Sequence, residues 1–268
     1  MDIYPDETDR LLTSSARDFL EAECGVALVR AMEDDAVGYS SELWRKMTGL
    51  GWQGLALPED AGGQGDTLLH AGMLLEEVGR ALAPVPLLPT LVSALIVARH
   101  GGPSARATVR AVASEGRVLT FAVLESSPRV SPATTQLEAH PTADGYVLSG
   151  TKRFVDSFDA ADQVLVAART GAGSGEDGIS LLLVDRNAPG IRSEVLPTLS
   201  GERQYEVTFD GVTVPASALV GAAGRGWPIV AELQRLAAIF SCAMTVGAAR
   251  RAVEMAVEYA KDRVVFGR

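Results

Sequence analysis

The feature that most constrains this chain is a long apolar helical pattern near its carboxyl end. After Gly226 the helical period runs as far as Arg263, roughly 60 Å at 1.5 Å per residue. Its apolar face contains Leu233, Leu236, Ala237, Phe240, Met244, Gly247, Val253, Ala256, Val257 and Ala260. A helix of this length cannot leave such a face in water, so it must pack against other helices. Because no helical segment follows it, we expect the covering helices to come from a partner chain or from a longer form of the protein.

The periodicity of the chain changes twice, which divides it into three predicted domains. Residues 1–117 carry apolar residues at helical spacing, and residues 118–222 contain short, mostly apolar segments with period two. Residues 223–268 return to helical spacing and are predicted to form the first helix of a C-terminal helical domain. Helices and strands that occupy separate parts of a chain are typical of an α+β fold.

Capping signals locate the helices of the first domain. Ser40 or Ser41 can cap a helix over 42–50, with Gly51 just past its end. Another helix stops at His100, because two glycines and a proline follow it. The predicted helices cover 6–23, 42–50, 67–82 and 87–100.

Turn residues separate the strands of the second domain. Asp144 and Gly145 predict a hairpin turn before a strand over 146–155. Within 204–214 the alternation shifts at Gly211, as a β-bulge would produce. Several short strands between Gly and Pro turns predict a small barrel or sandwich. The other predicted strands cover 118–124, 163–168 and 179–184.

Composition and charge exclude several classes of protein. Hydrophobic residues make up 47% of the chain, which is enough to bury a core. The net charge of −10 argues against a nucleic-acid-binding protein, since no basic stripe is present to bind phosphates. Cys24 and Cys242 are far apart and have no Cys or His neighbours, so we expect neither a disulfide nor a metal site.

The start of the chain and its apolar segments predict a cytoplasmic protein. Residues 1–7 are acidic and do not resemble a signal peptide. The apolar stretch over 82–98 is interrupted by prolines and is too short to cross a bilayer. We therefore expect no membrane span.

Six short motifs occur in one order along nearly the whole chain and resemble those of the acyl-CoA dehydrogenase family. They include a loop rich in proline and glycine, a helix with an acidic pair, and a closing segment with Tyr259 and Arg263. The motifs cover 51–65, 74–81, 145–152, 160–162, 209–215 and 259–267. Each motif alone is weak, whereas six in the same order are specific.

The resemblance implies a flavoprotein that removes hydrogen from Cα and Cβ of an acyl-CoA thioester. A carboxylate takes the α proton while the β hydride passes to FAD, so the base and the flavin face opposite sides of the substrate. The implied partners are an acyl-CoA substrate, an electron-transfer flavoprotein as electron acceptor, and another chain of this family in a homo- or hetero-oligomer. The motifs do not indicate the acyl chain length, or whether a steroid replaces the fatty acyl group.

The resemblance assigns no catalytic residue to this chain. The usual base of the family is a Glu of the C-terminal bundle, beyond the last residue here. Some members instead carry the base on the long helix, just before an Arg that aligns with Arg235. That position is Gln234, whose amide cannot take a proton. Glu232 matches a polar position near the CoA chain, so Glu232 and Arg235 are the candidate substrate-binding residues.

The predicted flavin contacts depart from the family pattern. By resemblance, Phe121, Leu124, Phe154 and Asp156 occupy flavin-binding positions. Leu124 stands where the family has a Thr whose hydroxyl meets the flavin, and Phe154 replaces a Trp that stacks on the ring. Asp156 replaces a second Thr, and an ionised carboxylate there would oppose the negative charge of reduced flavin.

Arg263 and Phe266 keep the family pattern at the end of the long helix. In the family this Arg reaches the flavin diphosphate of a neighbouring subunit, and a guanidinium suits phosphate oxygens. Phe266 is its apolar companion. The chain therefore retains the helix that serves a partner's cofactor better than the loops that bind its own.

The resulting hypothesis is an acyl-CoA dehydrogenase-like subunit that lacks the C-terminal bundle and forms the degenerate half of a two-chain enzyme. Three alternatives stay open. The chain is a shortened form of a self-sufficient dehydrogenase, or a non-catalytic assembly subunit that binds neither FAD nor CoA, or an oxygenase of related fold that uses reduced flavin.

Overall fold

The computed structural model describes residues 6–264, and the predicted α+β class is confirmed. The helices are α1 Glu7–Glu23, α2 Val26–Asp34, α3 Ser41–Gly49, α4 Leu68–Arg80, α5 Leu87–His100, α6 Pro103–Glu115 and α7 Trp227–Asp262. The strands are β1 Leu119–Ala122, β2 Glu138–Pro141, β3 Gly145–Asp156, β4 Gln163–Arg169, β5 Ile179–Asp185, β6 Ile191–Leu196, β7 Gln204–Pro215 and β8 Leu219–Val220. Six of these helices precede the strands and α7 follows them.

Side-chain caps begin three of the predicted helices. Asp6 accepts a hydrogen bond from the N–H of Asp9 in a capping box at the start of α1. Ser40 and Thr67 each accept one from the N–H three residues further on, at the starts of α3 and α4. Gly51, just past α3, has a φ of +75°, which glycine adopts without steric strain.

The strands form one mixed sheet. Its order is β6-β7-β3-β2-β4-β5-β8, and β1 pairs with β4 in parallel. β2 and β3 form the predicted hairpin. The bulge predicted at Gly211 is confirmed, because two residues of β7 there oppose one residue of β3 and Gly211 has a φ of +66°. β6 was not predicted, since most of its side chains are exposed and its sequence does not alternate.

Both faces of the sheet are buried at β4 and β5. On β4, Leu165 and Ala167 belong to a core shared with the helices, whereas Val164 and Val166 belong to a second core formed by the strands. A strand buried on both faces has a continuous apolar sequence rather than an alternating one. The helical and strand blocks are therefore joined through a common core.

The first half of α7 packs against α4 and α5 of the same chain. Its buried residues are Ile229, Val230, Leu233, Leu236, Phe240 and Gly247. The expectation that a partner chain or a longer form of the protein must cover the whole apolar face is therefore wrong for this half. Helical spacing shows which face is apolar, but it does not show which segment covers that face.

Two glycines allow α4 and α7 to approach each other closely. A Cβ atom at Gly247 would lie 1.8 Å from the carbonyl oxygen of Glu76. A Cβ atom at Gly79 would lie 2.1 Å from the carbonyl oxygen of Met244. Since real atoms do not approach so closely, the two backbones touch only because both positions lack a side chain.

The opposite side of α7, from Ile239 onwards, leaves a row of apolar and small side chains exposed. The row has heptad spacing, which is typical of a helix that packs against another helix. It consists of Ile239, Cys242, Val246, Ala249, Val253, Ala256 and Ala260. By length and composition α7 could also cross a membrane, but a helix at the centre of a bundle has the same properties. The absence of a membrane span therefore stays a prediction.

The close approach of α4 and α7 predicts opposite effects of alanine at two helical glycines. Gly247→Ala should lower the free energy of unfolding by about 1–3 kcal/mol, because the methyl group overpacks a backbone contact. Gly72→Ala on α4 is the matched control: its Cβ would have no atom within 4 Å, so the better helix propensity should leave stability unchanged or raise it by up to about 1 kcal/mol. Urea unfolding of both variants is the measurement, and equal effects would contradict the packing.

Candidate functional site

Four predicted flavin-contact residues lie on two neighbouring strand ends. The N–H of Arg153 on β3 donates to the carbonyl oxygen of Leu124, just after β1, at 3.0 Å. The hydroxyl of Thr120 on β1 donates to the carbonyl oxygen of Asp156 at 2.6 Å. These hydrogen bonds bring together Phe121, Leu124, Phe154 and Asp156. Their contact with a flavin stays a prediction.

A bulge in β3 turns Phe154 away from the core. Between Lys152 and Val155 the pairing with β7 shifts by one residue, and Phe154 has a left-handed φ of +54°. Lys152 and Val155 are both fully buried, whereas Phe154 is 51% exposed. Regular alternation would place Phe154 on the same buried face as Lys152. The strained backbone therefore presents an aromatic ring to solvent, as a stacking surface requires.

A buried ion pair holds the loop that follows β1. Lys152 is fully buried, and its Nζ lies 2.7 Å from a carboxylate oxygen of Glu125. Burial lowers the pKa of Lys152, and the charge of Glu125 opposes that shift. Glu125 also accepts hydrogen bonds from the N–H groups of Gln136 and Leu137, each at 3.0 Å to the same oxygen. The loop over 124–137 is thus closed by its own hydrogen bonds.

Asp156 lines a cavity of about 340 Å³ between the helices and the sheet, which we call the inner cavity. Its walls come from the turns before α3 and α5, the start of α5, the end of β3, the turn between β6 and β7, and one face of α7. The lining side chains include Tyr39, Val85, Leu88, Asp156, Glu202, Arg203, Ser241, Met244 and Thr245. A middle cavity of about 300 Å³ adjoins it and continues along α7 to Ala248.

The carboxyl group of Asp156 is largely buried. Nε2 of Gln204 donates to its Oδ1 at 2.8 Å. Burial raises the pKa of Asp156 to about 6, while the hydrogen bond from Gln204 opposes the shift and the charge of Glu202 adds to it. A protonated carboxyl group donates a hydrogen bond, which a carboxylate cannot do. Asp156 can therefore serve as a donor at a higher pH than an ordinary aspartate.

The inner cavity contains four polar residues that the motifs did not identify: Glu202, Arg203, Ser241 and Thr245. Arg203 donates to the carbonyl oxygens of Glu33 and Asp35 at 2.9 and 2.5 Å, which ties the turn between β6 and β7 to the end of α2. Polar residues in a turn and on one helix face carry no local signal of a site. The pairing of β3 with β7, which places Asp156 opposite Gln204, brings Glu202 and Arg203 to Asp156. Ser241 and Thr245 reach it only through the packing of α7.

The other predicted residues lie along α7 or at its end. Glu232 pairs with Arg99, and its Oε2 lies 2.7 Å from Nε2 of His100, at the end of α5. Although burial opposes the shift, hydrogen bonds with these two residues lower the pKa of Glu232. Arg235 and Arg263 are exposed, and Phe266 lies outside the described residues. Among residues 6–264, no three metal-ligating side chains come together.

Comparison with known proteins defines the class. Residues 6–114 match the N-terminal domain of acyl-CoA dehydrogenases, and residues 120–212 match their middle domain. These two matches, in this order, define an oxidoreductase of the FAD-dependent type that acts on acyl-CoA. The chain belongs to the acyl-CoA dehydrogenase family.

The relatives are similar over the whole of this chain but are longer than it. Cyclohex-1-ene-1-carbonyl-CoA dehydrogenase of Geobacter metallireducens is 30% identical over 98% of this chain and 70% of its own length. The solved structure of the Tcur3481-Tcur3483 steroid ACAD G363A variant is 35% identical, with a TM-score of 0.84 over 98% of this chain and 69% of that one. The ChsE4-ChsE5 complex from Mycobacterium tuberculosis is 28% identical, with a TM-score of 0.89 over 100% and 70%. A matched FAD complex of PigA is 25% identical, with a TM-score of 0.87 over 100% and 72%.

The buried Asp156 predicts a pH dependence of stability that its amide variant lacks. The pKa of Asp156 is about 6 in the folded protein against an ordinary 3.8. The stabilisation that folding gains from protonated Asp156 is therefore fully present below pH 3.8 and is lost as the pH rises through 6. At about pH 8, urea unfolding should therefore give Asp156→Asn a free energy of unfolding up to about 3 kcal/mol higher than that of the wild type. Below pH 3.8 the two proteins should have the same free energy of unfolding, because Asp156 is then uncharged in both the folded and the unfolded state.

Asp210→Asn is the matched control for this measurement, since Asp210 is exposed and pairs with Arg192 on the surface. It should change stability by less than about 1 kcal/mol at any pH. If the wild type and Asp156→Asn had equal free energies of unfolding at about pH 8, burial of the Asp156 charge would not destabilise the folded protein.

Proposed function

We propose that this chain is a subunit of an FAD-dependent acyl-CoA dehydrogenase, in which a second chain supplies the catalytic base. The observation that carries the proposal is the inner cavity, which has an apolar wall from α5 and α7 and ends at Asp156 on β3. Phe154, two residues before Asp156 on the same strand, is exposed. The end of this one strand therefore carries both a residue of a cavity suited to an acyl group and an exposed ring suited to a flavin.

The described residues fit a flavin. Phe154 offers an exposed ring for stacking, and the loop after β1 that carries Leu124 is closed by Glu125 without any ligand. A protonated Asp156 could donate a hydrogen bond to the flavin ring. Arg263 is exposed at the end of α7, where its guanidinium could bind the flavin diphosphate of a neighbouring subunit. When bound, FAD would supply the hydride acceptor.

The acyl group fits the inner cavity. Leu88, Val85 and Met244 form apolar walls, so burial of the acyl chain there is favourable. The hydroxyl of Thr245 donates to the carbonyl oxygen of Ser241 within α7, which satisfies it without a ligand. Excluding water from this cavity strengthens the electrostatic contacts of the thioester with its surroundings.

The proposal that the base comes from another chain rests on two positions. Gln234 is an amide and cannot take a proton. Glu232 is engaged by Arg99 and His100, so its carboxylate is held as an anion of low basicity. The two carboxyl groups that do line the inner cavity, Asp156 and Glu202, are the rival candidates within this chain.

The exposed row on α7 supports assembly with helices from another chain. Ile239, Val246 and Val253 recur every seven residues and are 62%, 49% and 63% exposed, which leaves an apolar stripe in water unless a helix covers it. We propose a second acyl-CoA dehydrogenase-like chain as the partner and electron-transfer flavoprotein as the electron acceptor. Fatty acyl and steroid thioesters both remain within the substrate class.

Flavin binding by the chain, in the oligomer in which it is purified, tests the cofactor. Phe154→Ala should weaken FAD binding about tenfold, because a stacking contact is worth roughly 1.4 kcal/mol. Phe154→Trp should retain binding. Arg263→Ala should also weaken binding, whereas Arg225→Ala, which removes another exposed arginine that pairs with Asp177, should not. Visible flavin absorbance after gel filtration is the measurement.

Turnover with an artificial electron acceptor tests the origin of the base. The chain alone should show no dehydrogenation of butanoyl-CoA or hexadecanoyl-CoA, and co-production with a second dehydrogenase-like chain should restore it. Turnover by the chain alone that is lost in Glu202→Gln or Asp156→Asn would place the base here and contradict the two-chain proposal. A complex that binds no flavin would instead identify an assembly subunit.

A further inference from the structure

Three cavities follow one face of α7. The inner and middle cavities share Glu202, Met244 and Thr245 in their walls. The middle cavity adjoins a larger outer cavity of about 630 Å³, which is bounded by α1, α2, α4 and α7 and reaches Met255. From Ser241 in the inner cavity to Met255 in the outer one, α7 rises roughly 21 Å. The three cavities form a groove suited to an extended ligand.

Leu82 stands where the middle and outer cavities meet. It lines both of them, together with Val29 and Glu33. Its side chain is 62% exposed, so it projects into the groove instead of packing in the core. Leu82 is therefore one of three residues at the boundary between the part of the groove near Asp156 and the outer part.

The backbone at Leu82 is strained in a way that glycine would relieve. Leu82 has a φ of +49°, and the N–H of Ala83 donates to the carbonyl oxygen of Val78 at 3.1 Å. This is the Schellman arrangement that ends a helix, here α4, and its left-handed position is usually glycine. A leucine there carries a steric penalty without the compensation of core burial. A role in the groove accounts for the leucine, whereas a role in folding does not.

The outer cavity suits an apolar ligand. Val26 and Met255 line it and are 71% and 55% exposed, an arrangement typical of a binding groove. Three of the four arginines around it pair with carboxylates: a guanidinium nitrogen of Arg17 lies 2.7 Å from Oε1 of Glu77, and Arg80 and Arg251 pair with Glu254. The fourth, Arg30, is exposed at the rim. The groove thus has apolar walls and a rim on which most charges are paired, which suits a hydrocarbon.

We propose that Leu82 determines acyl-chain specificity, by dividing the groove so that only a long acyl group reaches past it into the outer cavity. The inference rests on the proposed function, since it takes the thioester end of the ligand to lie in the inner cavity. A short acyl group ends before Leu82 and does not sense it. A long acyl group must displace the Leu82 side chain or pass beside it.

Binding of two acyl-CoA probes to the purified, FAD-loaded protein, in its native oligomer, tests this inference by calorimetry. Leu82→Gly should strengthen hexadecanoyl-CoA binding about fourfold for each further methylene that it lets into the outer cavity. Leu82→Trp should weaken hexadecanoyl-CoA binding by a similar factor. Butanoyl-CoA should bind all three proteins equally. Leu69→Ala is the matched control, because Leu69 on α4 is 61% exposed and lines none of these three cavities.

The outcomes separate the two proposals. Equal changes for both probes, or no change for either, would overturn the role of Leu82 while leaving the proposed function intact. Failure of the wild type to bind any acyl-CoA would overturn the proposed function and this inference with it. A change of oligomeric state in Leu82→Trp would mean that the outer cavity is a subunit contact and would also overturn the inference. Leu82→Gly should have a raised Tm, because glycine relieves the strain at this left-handed position. That result would also show that the variant folds.

Discussion

The close backbone contact between α4 and α7 is the constraint on which the rest of the structure depends. Gly79 and Gly247 let the two helices touch, and this contact carries α7 back across the amino-terminal helices. Because α7 runs past the end of β3, its face with Met244 and Thr245 becomes a wall of the inner cavity. Without the contact, the helical and strand blocks would share a core but enclose no cavity between α7 and Asp156.

A second constraint acts at the end of β3, where core packing and an exposed ring occur within three residues. Lys152 is buried and engaged by Glu125, so the strand is held firmly on one side of the bulge. Val155 is buried on the other side. Phe154 lies between these two buried residues, which keep its side chain directed outward. They also maintain its strained left-handed φ, which would relax if the strand were not held on both sides. The same ion pair holds the loop after β1, so one interaction fixes both segments that are predicted to contact a flavin.

The local signals of the sequence predicted much of the fold. The cap at Ser40, the bulge at Gly211 and the hairpin before β3 all arise from residues close together in the chain. The ordered motifs also identified the family. The bounds of α2 and α6 are not predicted, because each helix begins after a glycine that provides no side-chain cap. β6 is not predicted, because most of its side chains are exposed and its sequence does not alternate.

The sequence by itself thus determined the class of fold, the family and the apolar face of α7, since each is encoded in local periodicity or in motif order. Only the tertiary structure decided what covers the first half of that face, which residues surround Asp156, and where Leu82 projects. These depend on contacts between segments far apart in the chain, such as α4 with α7 and the β6–β7 turn with α2. Periodicity gives the direction of a side chain on its own element, but the neighbour that it meets is set by packing.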